Sequence, residues 1–166
     1  MFGGIGTDTI ELSKYFNVIT TEMDPYIYSL LKRNISNYRC KNINILHLNC
    51  LALLPIIKPD IIYFDPPWGH QYKVRSKIYQ LGSKATQFDF SQVYLDFPTD
   101  DVSPQLPKKI SCTDLVLYLY EHVTKNIIIK APLNSTSFEQ LFNPYHAIKY
   151  IFKSNPHYNL KFIYLV

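Results

Sequence analysis

The chain lacks the features that mark secreted, membrane-spanning and metal-dependent proteins. Its three cysteines, Cys40, Cys50 and Cys112, are widely spaced and form no Cys-x-x-Cys pair. That favours ordinary free thiols in a reducing compartment over a zinc site or a disulfide framework. No apolar run approaches the ~20 residues needed to cross a bilayer, and Met1-Phe2-Gly3-Gly4 carries no basic region followed by an apolar stretch. The expectation is a soluble intracellular protein, cytoplasmic or nuclear, without a membrane partner. The five histidines are scattered, and none stands at ligand spacing from a carboxylate or cysteine, so no metal is expected. Charge is thin as well: 18% of residues are charged and the net charge is +4, which permits an anionic partner but falls far short of a dense basic stripe. Glycine and alanine are sparse beside Ile, Asn, Lys and Tyr, a bias of AT-rich coding that says nothing of function. No internal repeat or low-complexity segment is visible.

What is present suffices for one compact domain. A chain of 166 residues, 47% hydrophobic and 15% aromatic, lies outside the disordered regime and within the usual span of a single domain, 1–166. Thr7-Asp8-Thr9 opens a short helix from about Asp8 to Tyr15. The β-branched stretch from Asn17 to Thr21 predicts a strand ending at Glu22. Pro25 suits the first turn of a second helix with Tyr26, Leu30, Leu31 and Ile35 on its apolar side. Residues 43–48 and 60–64 predict strands, the latter apolar enough to suggest burial on both faces, as in parallel sheets. Residues 70–112 turn polar and aromatic and read as an excursion from the sheet. Helices over 113–123 and 137–142 and strands over 126–130, 147–153 and 160–166 complete the chain. The last two strands, joined across Ser154-Asn155-Pro156, suit an antiparallel hairpin. Helices alternating with apolar strands predict an α/β, Rossmann-like, doubly wound and mostly parallel sheet.

Two clusters carry chemistry. The glycines Gly3, Gly4 and Gly6 before a helix let backbone approach a ligand at a helix N-terminus, although a glycine-rich turn alone is as readily structural. Glu22, at the end of the next strand, is placed to accept both ribose hydroxyls of an adenosine cofactor. Asn49, after the strand predicted over 43–48, suits an adenine amine and equally suits a turn. The stronger signal is Asp65-Pro66-Pro67-Trp68 directly after an apolar strand. Two prolines must end the strand, leaving Asp65, the Pro66 carbonyl and Trp68 at its carboxyl edge. A carboxylate and a carbonyl can accept the hydrogens of an exocyclic amine and aim its lone pair, while an indole stacks on a flat base.

In that order, Phe2-Gly3-Gly4-Ile5-Gly6-Thr7-Asp8-Thr9, Glu22-Met23-Asp24-Pro25 and Asp65-Pro66-Pro67-Trp68-Gly69 resemble the trimethylguanosine synthases, RNA cap guanine-N2 methyltransferases. The late segment Asn126 to Asn134 is similar to that family's strand ending in Pro-Arg-Asn. The resemblance covers essentially the whole chain and implies a Rossmann-like class I methyltransferase domain, with residues 70–112 on its substrate side. It implies S-adenosylmethionine as cofactor, held by Phe2, Gly3, Gly4, Gly6, Thr9, Glu22, Met23 and Asn49, together with Asp65. Asp65 and Pro66 would orient the guanine amine. Trp68 would stack on the base of a 7-methylguanosine cap, and Lys73, Arg75, Lys130 and Asn134 would contact the capped RNA. Because 7-methylguanine is cationic, stacking on Trp68 would add ~1–2 kcal/mol of cation-π attraction.

The sequence also departs from that family. A strand bearing an acidic residue would precede the glycine motif, and none is present before Met1. Thr7 and His70 replace glycines, and Leu133 stands where an arginine would face the cap phosphates, a role open to Lys130 or to Lys73, Arg75 and Lys77. The latter three read equally as a solvated surface loop. Two alternatives follow: a methyltransferase acting on the N6 amine of adenine in nucleic acid, and an inactive cap- or RNA-binding remnant.

Overall fold

The structure, a computed structural model, describes residues 1–54, 56–66, 89–96, 109–153 and 160–166. These fall into two compact units, one up to Ile57 and one from Lys58 onward.

The first unit begins with helix α1 (Thr7–Leu12), strand β1 (Val18–Glu22), helix α2 (Pro25–Asn37) and strand β2 (Ile43–His47). No strand precedes α1 among the described residues. α2 starts where it does for local reasons: Asp24 Oδ1 accepts from Ile27 N at 2.8 Å, and Pro25 occupies the first turn. Leu31 and Ile35, four residues apart, form its buried stripe. Tyr26 is exposed instead of packed, because five residues before Leu31 it lies about 140° around the helix from that stripe. β1 and β2 pair in parallel, with Thr20 opposite Ile45 and Glu22 opposite His47. After β2, Cys50–Leu53 form a 3-10 turn whose Cys50 and Leu51 are buried.

The second unit is built on a four-stranded sheet. Its strands are β3 (Ile62–Phe64), β6 (Ile127–Pro132), β7 (Ile148–Lys153) and β8 (Leu160–Leu165), in the order β3-β6-β8-β7. β3 and β6 are parallel, while β8 runs antiparallel to both β6 and β7. The terminal hairpin therefore forms as the sequence suggests, but its second strand inserts between the first and the rest of the sheet. Within the excursion lie a 3-10 turn (Phe90–Gln92) and two three-residue strands, β4 (Tyr94–Asp96) and β5 (Lys109–Ser111), paired antiparallel.

One face of the four-stranded sheet is sealed along β3, β6 and β8. Ile62, Phe64, Ile127, Ile129, Ala131, Ile163 and Leu165 are all buried there. The core continues into helix α3 (Cys112–His122) through Leu115, Val116 and Leu119, and into helix α4 (Ser137–Phe142) through Phe138 and Phe142. Phe138 meets Phe64 edge-on and Phe90 at a ring distance of 4.7 Å. Ser111 caps α3 by accepting from Asp114 N. The other face, carrying Tyr63, Ile128, Lys130, Phe162 and Tyr164, is only half-buried. β3 is thus apolar throughout yet sealed on one side alone.

Candidate functional site

In the first unit, the glycine turn is fastened to the end of β1. Gly3 N donates to Thr21 O at 2.7 Å, and a Cβ on Gly3 would stand 2.6 Å from Thr20 Oγ1 and 3.1 Å from Thr21 O. Gly3 therefore leaves little room for a Cβ, chiefly against the Thr20 hydroxyl. Gly6 holds φ +94° as the residue before α1, and Gly4 holds φ +53°. The space where a Gly4 Cβ would sit is open, with nothing within 4 Å. Phe2 too has a positive φ, 62°. Thr9 is buried, its hydroxyl 3.2 Å from that of Thr20. α1 has only six residues, so backbone geometry, more than a macrodipole, is what this turn offers.

Glu22 binds the turn that sequence assigns with it to the cofactor. Its Oε2 accepts from Gly4 N and its Oε1 from Asp24 N, each at 3.0 Å. A carboxylate has about four acceptor positions, so these two bonds orient the group without exhausting it. Met23 is 58% exposed beside it, and its carbonyl lies 3.2 Å from His47 Nε2. Asn49 takes the turn role: its Oδ1 accepts from Leu51 N and caps the 3-10 turn. Cys50, behind this turn, is sealed from water, and burial pushes its thiol up to about 11.

In the second unit, Asp65 and Pro66 follow β3 directly, Asp65 half-buried and Pro66 buried. Lys130, on the neighbouring strand β6, donates to Asp65 Oδ2 at 3.0 Å. The ammonium assigned by sequence to cap phosphates is thus engaged by the carboxylate assigned to the amine. Asn134 lies half-buried in the turn after β6. Trp68, Lys73, Arg75 and Lys77 lie outside the described residues.

Sequence reasoning passed over the group beneath Asn134. Lys161, 3% exposed on β8, donates to the Ser135 carbonyl and to Glu139 Oε1 of α4. The signal was present in the strand's own alternation, which puts Lys161 in phase with the buried Ile163 and Leu165. Asp89 ties the excursion to the same helix. Partial burial raises its carboxyl, but hydrogen bonds from Ser91 and Ser137 outweigh that and hold it below its ordinary value.

The sequence pattern of a family described as RNA cap guanine-N2 methyltransferase matches residues 1–151. An uncharacterized protein, L320, of Acanthamoeba polyphaga mimivirus is 34% identical over 73 residues, a stretch that spans 42% of this chain and 28% of that relative. Among solved structures, Trm5b from Pyrococcus abyssi aligns with a TM-score of 0.47 at 13% identity, covering 99% of this chain and 41% of its own. A putative methyltransferase from Streptococcus mutans in complex with SAH aligns with a TM-score of 0.47 at 10% identity, covering 98% and 84%.

Proposed function

Because the chain belongs to the RNA cap guanine-N2 methyltransferase family, we propose that it transfers a methyl group to the exocyclic N2 amine of a 7-methylguanosine RNA cap. The observation that carries the reading is Asp65: a carboxylate at the carboxyl end of a parallel strand, held at one oxygen by Lys130. S-adenosylmethionine would supply the electrophilic methyl on its sulfonium. Gly4, with open space above its backbone, and Glu22, oriented by Gly4 N and Asp24 N, fit an adenosine-bearing group at the first unit's turn. Phe2, Thr9, Met23 and Asn49 belong to that assignment.

Asp65 accepts the amine hydrogens and so directs the nitrogen lone pair outward. Methyl transfer would leave the amine nitrogen cationic, and Asp65 would accept the proton that it then loses. The enzyme's contribution is mainly orientation and desolvation, since the methyl donor is already activated. The Pro66 carbonyl is the second amine acceptor and Trp68 the stacking surface for the base.

The test pairs two measurements. Calorimetry with S-adenosylhomocysteine should show micromolar binding, and its absence would favour an inactive cap-binding remnant. With binding established, labelled methyl should pass to a 7-methylguanosine cap dinucleotide, and Asp65→Asn should lose about a hundredfold or more of that rate. Digestion of methylated RNA to nucleosides should give N2-methylated guanosine; N6-methyladenosine would assign the chain to adenine instead.

A further inference from the structure

Two aromatic rings stand in the open on the edge of the second unit's sheet. β7 is the outer strand, and Tyr150 and Phe152 are 53% and 60% exposed on it. Being two residues apart, they share one face, with ring centroids 5.8 Å apart and planes 38° from each other. Lys149 brings its Nζ to 5.9 Å from the Tyr150 ring. The register sets Tyr164 and Phe162 of β8 opposite Tyr150 and Phe152, so the aromatic face continues inward. Core packing does not account for the pair, because the sealed face of this sheet is the opposite one, through Ile163 and Leu165.

Charge indicates what kind of partner fits. From Gln140 to Val166 the sequence contains Lys149, Lys153, Lys161, His146 and His157 and no Asp or Glu. Lys161 is buried against Glu139, whereas Lys149 is exposed beside the rings. Two stacking rings with the Lys149 ammonium near Tyr150 suit an unpaired nucleic-acid strand, whose splayed bases each offer a π-face and whose phosphates are anionic. A second copy fits poorly. Antiparallel pairing of two β7 edges about Ile151 would set residues 149 and 153 of the two copies opposite each other, lysine on lysine.

We propose that the Tyr150–Phe152 face of β7 is a platform for single-stranded RNA, engaging nucleotides beyond the cap. The choice of RNA rests on the capped-RNA reading above. Tyr150 and Lys149 fall within the matched residues 1–151, and Phe152 and β8 lie beyond them.

Fluorescence anisotropy of the full chain with an uncapped, labelled oligouridylate tests it independently of methyl transfer. Tyr150→Ala/Phe152→Ala should weaken binding by about tenfold or more, the scale of lost base stacking. Lys149→Gln should weaken it by a smaller factor and flatten its salt dependence. Transfer to the cap dinucleotide should stay within about twofold of the parent, while KM for a long capped RNA rises. Should the double variant fold poorly, Tyr150→Ser alone, at a half-exposed position, reads the same loss. Unchanged oligouridylate affinity in the variants overturns the platform, as does equal affinity for a duplex of the same length. A parent dimer in sedimentation that the double variant abolishes would overturn it too, assigning the face to self-association. Loss of cap methylation with RNA binding intact would instead count against the enzymatic reading and leave the platform standing.

Discussion

Gly4 and Gly6 share a positive φ but differ in what surrounds them, and that difference separates binding from folding. An alanine Cβ at position 6 would meet Leu31 Cδ1 at 2.7 Å, whereas at position 4 it would meet nothing within 4 Å. Gly6→Ala should cost roughly 1–3 kcal/mol of stability in urea unfolding with little change in cofactor affinity once folded. Gly4→Ala should cost about 1–2 kcal/mol for its left-handed backbone and also weaken S-adenosylhomocysteine about tenfold by calorimetry. Wild-type affinity in Gly4→Ala would show that the ligand does not approach there. The thiols give a second residue-scale expectation. Burial raises Cys50 from 9.0 to about 11 and Cys112 from 9.0 to about 12. Above pH 9 the unfolded thiols release protons that the folded ones retain, so the stability they confer is complete below pH 9 and is lost as pH rises toward 11–12. Melting temperatures followed across that range should fall less steeply for Cys112→Ala than for the parent.

At the scale of elements, Lys161 joins β8 to the start of α4, beneath the turn that carries Asn134. Lys161→Met should destabilise the protein by about 3–5 kcal/mol, because it strands the Glu139 carboxylate in a buried place. Adding Glu139→Gln to that variant should restore much of the loss in denaturant unfolding. If the double variant is no more stable than the single, the ion pair is not the source of the cost. Legibility in the sequence followed how local each cause was. The start of α2 was readable because Pro25 acts within its own first turn, while the Asp24 cap was not read, and α4 was placed at its observed bounds. β4 and β5 were not, since three residues show no period and each needs a partner some fifteen residues away. The insertion of β8 beside β6 was equally hidden, because hydrophobic alternation sets a strand's face but not its neighbour. For the site, residue types around Gly4, Glu22 and Asp65 were legible, while the Lys130–Asp65 pair was not. It joins residues 65 apart in sequence.

For the whole molecule, ligand linkage should reveal where the cofactor acts. S-adenosylhomocysteine at about a hundred times its Kd should add roughly 2.7 kcal/mol of stability, seen as a higher melting temperature. Hydrogen exchange should place the new protection in residues 3–24 and 49–51; protection confined to β6 and β8 would move the cofactor out of the first unit. The strand order of the second unit has a consequence for biosynthesis. β8 lies further along the chain than either strand it joins. On the ribosome, β6 and β7 therefore emerge with no hydrogen-bonding partner for the edges that β8 will occupy. Vectorial synthesis cannot finish this sheet strand by strand; residues 160–165 must clear the exit tunnel before they slot between two strands already made. Until then two apolar edges wait unpaired, an interval in which the nascent chain is open to strand-swapping with its neighbours on a polysome.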